Sequence, residues 1–184
     1  MAKLIVIAAP SGAGKTSLIK ALLEEVENSN LNLGISYTTR KKRVNEQEGE
    51  AYFFIDKKAF ELKVIKNEFL EKAEVFGNLY GTDKYWVKEQ LEEGKNVLLE
   101  LDWQGAVQVK SVYPKAITIF ILPPSYNELK SRLNERSQDQ EDVIATRLSQ
   151  AKLEIEHGQN FDFIIVNDLF ESALDDLKDI VLKD

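Results

Sequence analysis

The sequence predicts an α/β fold in which a mostly parallel sheet is flanked by helices. Three short, predominantly apolar runs, at 4–8, 96–101 and 116–122, have the length and the β-branched content of strands buried on both faces. Helical patterns lie between these runs, and strands that alternate with helices are typical of a doubly wound sheet. The ligand site of such a fold is expected at the carboxyl ends of the strands.

The first predicted strand leads into a loop of small residues and then into a helix. This segment reads Ala9-Pro10-Ser11-Gly12-Ala13-Gly14-Lys15-Thr16-Ser17, and a helical pattern continues to Val26. Strand, glycine-containing loop and helix, with Lys and Thr at the helix start, are the context of a phosphate-binding P-loop. Backbone N–H groups and the helix N-terminus are expected to bind a polyphosphate, Lys15 its β- and γ-phosphates, and the Thr16 hydroxyl Mg²⁺.

The P-loop pattern has one departure, because Ala9 stands where the strict motif has its first glycine. Alanine adopts a positive φ less readily than glycine does. The alternative interpretation is an ordinary glycine-rich turn that caps a helix, and the complete strand–loop–helix context favours the P-loop.

Length and composition bound the remaining possibilities. The 184 residues suggest one domain, or a core with small inserted subdomains. The net charge of −7 argues against a nucleic-acid or anionic-membrane partner. With no cysteine and with His157 as the single histidine, disulfides, thiolate metal sites and multi-histidine zinc sites are excluded. The apolar runs are shorter than a membrane span, so we expect a soluble cytoplasmic protein.

The remaining elements follow in chain order. The region 34–82 is predicted as a small, mainly β insertion, with strands at 33–39, 51–55 and 69–76, a helix after the N-cap Asp56, and a turn at Gly77-Asn78. The rest of the chain is predicted as helices at 83–93, 104–112, 126–136, 141–157 and 169–182, with a last buried strand at 161–167.

Several separated motifs resemble the guanylate kinase family, in that family's order and spacing. They are Ser36-Tyr37-Thr38-Thr39-Arg40-Lys41-Lys42-Arg43, Gly49-Glu50-Ala51-Tyr52-Phe53-Phe54, the segment 71–82, Asp102-Trp103-Gln104-Gly105, Ile121-Leu122-Pro123-Pro124-Ser125 and Ile165-Val166-Asn167-Asp168. The resemblance covers essentially the whole chain. These motifs beyond the P-loop make the resemblance far more specific than the P-loop alone.

The resemblance implies transfer of the ATP γ-phosphoryl group to GMP, and to dGMP, with Mg²⁺, giving ADP and GDP. It implies a nucleotide-binding core (1–33, 83–125 and 147–184), a GMP-binding subdomain (34–82) and a lid (126–146). ATP is expected to contact the loop residues 9–17, Arg132 and Arg136. The chain is expected to act as a monomer or homodimer without nucleic-acid or membrane partners.

The acceptor phosphate is expected to bind Arg40 and Arg43, with the hydroxyls of Tyr52 and Tyr80 as donors, as the family resemblance implies. The planar guanidinium of arginine is suited to this because it meets phosphate oxygens with two parallel hydrogen bonds. The alternative is a solvated basic turn or a nucleic-acid patch, which a neighbouring P-loop and a net-acidic chain disfavour.

Base selection is assigned to Glu71, Ser36 and Thr82. Guanine presents N1–H and its 2-amino group as donors, which fit an ionised carboxylate, and O6 as an acceptor, which fits the two hydroxyls. Adenine reverses the pattern at positions 1 and 6 and leaves the carboxylate unsatisfied, at a cost of about 1.5–3 kcal/mol per contact. The alternative for Glu71 is an exposed strand carboxylate.

Glu100 and Asp102 end the strand at 96–101 and, two residues apart, are expected on one face. The family usually has aspartate at both positions. Asp102 is assigned to the guanine amino group or the acceptor side, and Glu100 to Mg²⁺ through a water molecule. The alternative for Glu100 is simple solvation at the strand end.

Arg132, Arg136 and Arg147 resemble the lid arginines that neutralise the transferring phosphate. With Lys15 and Arg40, Arg136 and Arg147 form the predicted catalytic set. Ser137 replaces a usual glycine, so a stiffer hinge is expected, and the alternative for each arginine is an ordinary helix-surface charge.

Two other functions stay open at this stage. The first is a non-catalytic interaction module of the same fold that binds peptides, against which the intact Lys15, Thr16, Arg136 and Arg147 argue. The second is a P-loop kinase for another phosphorylated acceptor, such as a ribose bisphosphate, against which the guanine-reading set Ser36, Glu71 and Thr82 argues.

Overall fold

The structure, a computed structural model, describes residues 2–26, 30–135 and 141–183. The strands are β1 (Leu4–Ala8), β2 (Leu31–Gly34), β3 (Tyr37–Thr38), β4 (Phe53–Phe54), β5 (Phe69–Val75), β6 (Asn78–Asp83), β7 (Asn96–Glu100), β8 (Ile117–Leu122) and β9 (Phe163–Val166). The helices are α1 (Lys15–Glu25), α2 (Lys57–Ile65), α3 (Lys84–Glu92), α4 (Trp103–Val112), α5 (Tyr126–Glu135), α6 (Glu141–Gly158) and α7 (Phe170–Leu182).

The predicted α/β class is confirmed. A five-stranded sheet has the order β2-β7-β1-β8-β9, and β2 runs parallel to β7 as β8 does to β9. A four-stranded sheet has the order β4-β3-β6-β5. Every residue of β1 is buried, as its uninterrupted apolar sequence predicts. No helix within the described ranges is both long enough and apolar enough to cross a membrane.

The first of two compact units comprises Met1–Val6 and Asn30–Ala116. It contains the four-stranded sheet, β2, β7 and helices α2 to α4. Aspartate side chains begin all three helices: Asp56 accepts a hydrogen bond from Ala59 N at 2.7 Å, Asp83 from Tyr85 N at 2.9 Å, and Asp102 from Gly105 N at 2.8 Å. Each helix therefore begins close to where its sequence predicts.

The second unit comprises Ile7–Ser29 and Ile117–Asp184. It contains α1, β8, β9 and helices α5 to α7. Ser125 accepts a hydrogen bond from Glu128 N at 3.1 Å and so begins α5, as predicted. Leu129, Leu133, Leu148 and Ala151 form a buried cluster between α5 and α6.

Three predictions about strands are wrong in detail. The run 33–39 is two strands, because β2 pairs with β7 whereas β3 pairs with β6 in the other sheet. The strand at 51–55 is reduced to β4. The last strand is not buried: of its four residues only Ile165 is covered, because β9 lies at the edge of the sheet.

The turn between β5 and β6 lies one residue earlier than predicted. Phe76 and Gly77 have φ of 49° and 73°, and they are the two central residues of a hairpin. Positive φ at both positions is typical of a type I′ turn, which matches the right-handed twist of the flanking strands.

Candidate active site

The P-loop lies between β1 and α1. Gly12 and Gly14 have φ of 93° and 95°, and the chain turns with a hydrogen bond from Ala13 N to Pro10 O at 3.1 Å. Gly14 is the residue before α1, and no side chain caps this helix. The left-handed glycines and the uncapped helix N-terminus form an arrangement suited to binding an anion.

Ala9 introduces no backbone strain into this loop. Among the described residues other than glycine, positive φ occurs at Asn67 and Phe76 and not at Ala9. The loss of the first glycine therefore carries no conformational cost here, because the loop takes its left-handed turns at Gly12 and Gly14.

Asn167 is a residue near the P-loop whose role the sequence did not indicate. Its buried side chain donates a hydrogen bond from Nδ2 to Ala13 O at 2.8 Å. A Cβ at position 14 would clash with the same Nδ2, so only glycine allows this approach. The motif at 165–168 contains Asn167, but a motif does not show which backbone carbonyl its side chain reaches.

Two of the three predicted lid arginines, Arg132 and Arg147, lie within the described residues. Arg132, on α5, donates from Nε to Glu128 Oε1 at 2.9 Å and from Nη2 to Asn167 O at 3.3 Å. Arg147 is half-buried on α6. Arg136 and Ser137 lie outside the described residues.

The predicted base-reading residues lie together in the first unit. Ser36 Oγ and Thr82 Oγ1 are 3.0 Å apart and hydrogen-bonded, and Glu71 is the register partner of Thr82 across β5 and β6. All three side chains are buried, and Glu71 is only 3% exposed. The alternative of an exposed strand carboxylate at Glu71 is wrong.

The surroundings of Glu71 disfavour the ionised form of its carboxyl group. Burial raises its pKa to about 7, the negative charge of Asp102 acts in the same direction, and hydrogen bonds from Thr82 oppose the shift. Glu71 Oε1 is buried without a hydrogen-bond partner among the described residues. A buried acceptor of this kind is suited to a ligand that brings its own donors.

Glu100 is the last residue of β7, and Asp102, in extended conformation, is the N-cap of α4, so the predicted strand at 96–101 ends one residue early. Asp102 Oδ1 accepts the cap bond from Gly105 N, and its Oδ2 accepts from Gln104 Nε2 at 3.2 Å. The negative charge of Glu100 acts instead on Tyr52.

The predicted phosphate-binding residues Arg40, Tyr52 and Tyr80 form a cluster. The guanidinium of Arg40 lies 5.3 Å from the ring centre of Tyr52, and the Tyr52 and Tyr80 ring centres are 5.7 Å apart. Burial, followed by the charge of Glu100, raises the pKa of Tyr52 to about 12. Its hydroxyl therefore stays protonated and remains a hydrogen-bond donor throughout the physiological range.

Glu46 is a second residue that sequence reasoning missed. Its two carboxylate oxygens accept from Arg40 Nη1 and Nη2 at 3.1 and 2.6 Å, and Oε2 also accepts from Arg43 N at 2.8 Å. The hydrogen bond to Glu46 raises the pKa of Arg40 although burial opposes it. Arg43 contributes its backbone to this loop, and its side chain is exposed.

The described residues contain no group of three or more His, Asp or Glu side chains arranged to hold a metal ion. The predicted metal contacts are a single hydroxyl, Thr16, in the first turn of α1, and Glu100 at the end of β7. Mg²⁺ suits such sparse protein ligation, because it usually keeps several waters and binds substrate phosphates.

Known proteins are similar to this chain in sequence and in architecture. The sequence model of the family described as guanylate kinase matches residues 1–184. A guanylate kinase from Dechloromonas aromatica is 52% identical over 178 residues, which are 97% of this chain and 87% of that protein. One from Vibrio parahaemolyticus is 51% identical over 97% of this chain and 86% of its own length.

A solved structure leads to the same family. The crystal structure of guanylate kinase from Anaplasma phagocytophilum superimposes with a TM-score of 0.81 at 32% identity, over 98% of this chain and 85% of that one. With a family match over its full length and relatives about half identical to it, the chain belongs to the guanylate kinase family.

Proposed function

We propose that the chain transfers the γ-phosphoryl group of ATP to GMP, and to dGMP, giving ADP and GDP, with the residue roles below. The activity follows from membership of the guanylate kinase family. The observation that carries the residue roles is the buried Glu71 carboxylate beside the Ser36 and Thr82 hydroxyls.

The base of GMP binds at Glu71. Ionised Glu71 accepts from N1–H and the 2-amino group, and these donors supply the partner that its buried Oε1 lacks. The hydroxyls of Ser36 and Thr82 donate to O6. Asp102 is assigned to the 2-amino group or the acceptor side, and the effect of its charge on Glu71 supports a position near the base.

The phosphate of GMP binds in the Arg40 cluster. Arg40, Arg43 and the hydroxyls of Tyr52 and Tyr80 are the proposed donors. Arg40 forms a bidentate pair of hydrogen bonds with the Glu46 carboxylate. This supports the role, because a carboxylate and a phosphate present similar pairs of oxygens to a guanidinium.

ATP binds through residues 9–17, where backbone N–H groups and the helix N-terminus meet its phosphates. Lys15 contacts the β- and γ-phosphates, and Arg132 and Arg136 contribute from the lid. The Thr16 hydroxyl is a hard oxygen donor and fits Mg²⁺. When bound, Mg²⁺ neutralises developing charge on the phosphates. The water-mediated role of Glu100 stays a prediction.

Lys15, Arg40, Arg136 and Arg147 supply the positive charge for transfer. No general base is assigned, since transfer through a loose transition state depends chiefly on positioning and charge. The core (1–33, 83–125 and 147–184), GMP-binding subdomain (34–82) and lid (126–146) remain our proposed functional division. A cytoplasmic location and a monomeric or homodimeric state are likewise proposals.

A coupled assay of ADP release with ATP and Mg²⁺ tests the function. We expect turnover with GMP and dGMP, and much less with AMP, UMP and CMP. Absence of GMP-dependent turnover would favour the non-catalytic interaction module. Equal rates with GMP and AMP would contradict the role of Glu71.

A further inference from the structure

The side chain of Gln108, on α4, forms two hydrogen bonds with the backbone of a single residue of β5. Lys72 N donates to Gln108 Oε1 at 3.1 Å, and Gln108 Nε2 donates to Lys72 O at 2.8 Å. A neighbouring strand would satisfy an edge residue with the same pair of bonds. Since β5 is an edge strand, Gln108 takes the place of a missing strand partner.

The residue that Gln108 holds is adjacent in sequence to Glu71. On its other side, β5 is held by β6, where Glu71 pairs with Thr82 and Lys72 with Gly81. The register shifts just before Glu71, between Phe69 and Glu71, so the strand is irregular there. A tether at Lys72 therefore restrains the backbone next to the carboxylate, directly after this irregularity of the ladder.

The same face of α4 approaches the carboxylate itself. Gly105 lies three residues before Gln108, which places the two on one side of the helix. A Cβ at position 105 would lie 2.9 Å from Glu71 Oε2, so the helix backbone contacts the carboxylate closely. The distance between α4 and β5 thus determines where the carboxylate lies, and the Gln108 pair spans that distance.

We propose that Gln108 is a positioning residue for base selection: its paired hydrogen bonds to Lys72 hold β5 on α4 and set the Glu71 carboxylate against Gly105. This inference rests on the proposed role of Glu71 in reading guanine. Gln108 itself touches no substrate in this scheme. Its effect on the reaction passes entirely through the position of Glu71.

The decisive readout is discrimination between GMP and inosine monophosphate, which lacks the 2-amino group. Two variants remove the tether: Gln108→Met, which keeps the side-chain length, and Gln108→Ala. Each should lower the GMP-to-IMP ratio of kcat/KM by about threefold to tenfold, as expected for the loss of one or two neutral hydrogen bonds. KM for GMP should rise, whereas KM for ATP should stay the same.

Lys72→Ala is the matched control, because both hydrogen bonds between Gln108 and Lys72 involve the backbone of Lys72, which the variant keeps. This variant should retain the wild-type ratio. Asn30→Ala controls for a comparable bond elsewhere in the same unit, since Asn30 Nδ2 donates to Gly94 O at 2.6 Å. A merely structural role of Gln108 would lower the thermal midpoint and leave the GMP-to-IMP ratio unchanged.

Glu71→Gln, measured in parallel, separates this inference from the proposed function. If Glu71→Gln lowers the ratio and Gln108→Met does not, the positioning role is overturned while the reading of guanine stands. If Glu71→Gln leaves the ratio unchanged, the assignment of Glu71 fails and the inference fails with it. Should Gln108→Ala unfold, Gln108→Met decides the outcome.

Discussion

Asn167 Nδ2 donates a hydrogen bond of 2.8 Å to the carbonyl oxygen of Ala13, which joins the end of β9 to the middle of the P-loop. The backbone of Asn167 is itself held, because its N–H donates to Leu122 O at 2.8 Å and its carbonyl accepts from Arg132. The side chain therefore supports the loop from a fixed point. The close approach also explains why position 14 must be glycine.

Asn167→Ala should weaken ATP binding, because the carbonyl of Ala13 loses its buried partner and the loop loses its support. A buried unsatisfied acceptor costs about 1–3 kcal/mol. We expect KM for ATP to rise about tenfold and KM for GMP to change little, as measured by steady-state kinetics. Asn160→Ala is the control, since the side chain of Asn160 donates an exposed bond, of 3.4 Å, to His157 O. An unchanged KM for ATP in Asn167→Ala would contradict the supporting role.

Lys15→Ala should abolish turnover while the protein remains folded. The variant removes the ammonium that is proposed to contact the β- and γ-phosphates, and loss of one such electrostatic contact lowers kcat by about a hundredfold or more. Lys20→Ala is the matched control on the same helix, where the exposed Lys20 pairs with Glu24 at 3.9 Å. Near-normal rates in Lys15→Ala, with an unchanged circular dichroism spectrum, would show that the phosphate assignment is wrong.

The fold was predictable where the signal is local. An apolar run specifies β1, and an aspartate or serine before a helical pattern marks the starts of α2 and α5. The break between β2 and β3 was not predictable, because the two strands belong to different sheets and distant partners decide that. Nor does an apolar sequence reveal that β9 lies at an edge.

In the candidate site, too, some residues were predictable from the sequence and others were not. Residue type and family resemblance were enough to select Glu71, Ser36 and Thr82, and the structure places them together. The roles of Glu46 and Gln108 were not predictable from the sequence, because they depend on contacts that form only in the folded chain. Glu46 reaches Arg40 only after the 41–45 loop folds back, and Gln108 reaches a strand thirty-six residues away.

The use of GMP should depend on pH through Glu71. Its pKa of about 7 in the free protein means that below pH 7 the carboxyl group is largely protonated and cannot accept from both guanine donors. KM for GMP should therefore rise by up to about tenfold per pH unit below 7 and level off above about pH 8. Steady-state kinetics from pH 6 to 8.5 measure this dependence.

Glu71→Gln isolates this titration from that of the GMP phosphate, which the variant retains. Its KM for GMP should be higher at pH 8 and should vary less between pH 6 and 8.5 than that of the wild-type protein. Parallel pH profiles of the two proteins would exclude Glu71 as the titrating group.

Glu71→Gln should also stabilise the ligand-free protein at high pH. The folded pKa of Glu71 is about 7, above its ordinary value of 4.5, so the folded state binds more protons between these values and its stability falls as the pH rises through them. Complete ionisation of a group with that difference in pKa costs about 3 kcal/mol of unfolding free energy. An amide at position 71 avoids this cost, so the gain should be about 1–3 kcal/mol at pH 8 and should vanish near pH 4.5.

Urea unfolding of the two proteins at several pH values between 4.5 and 8 measures this difference. Glu74→Gln, an exposed carboxylate on the same strand, is the control and should show no such pH-dependent gain. If Glu71→Gln changed the unfolding free energy equally at pH 4.5 and pH 8, the charge of Glu71 would not be the cause of the destabilisation. A gain that grows with pH, together with weaker use of GMP, would show that the pocket retains a destabilising carboxylate that guanine binding requires.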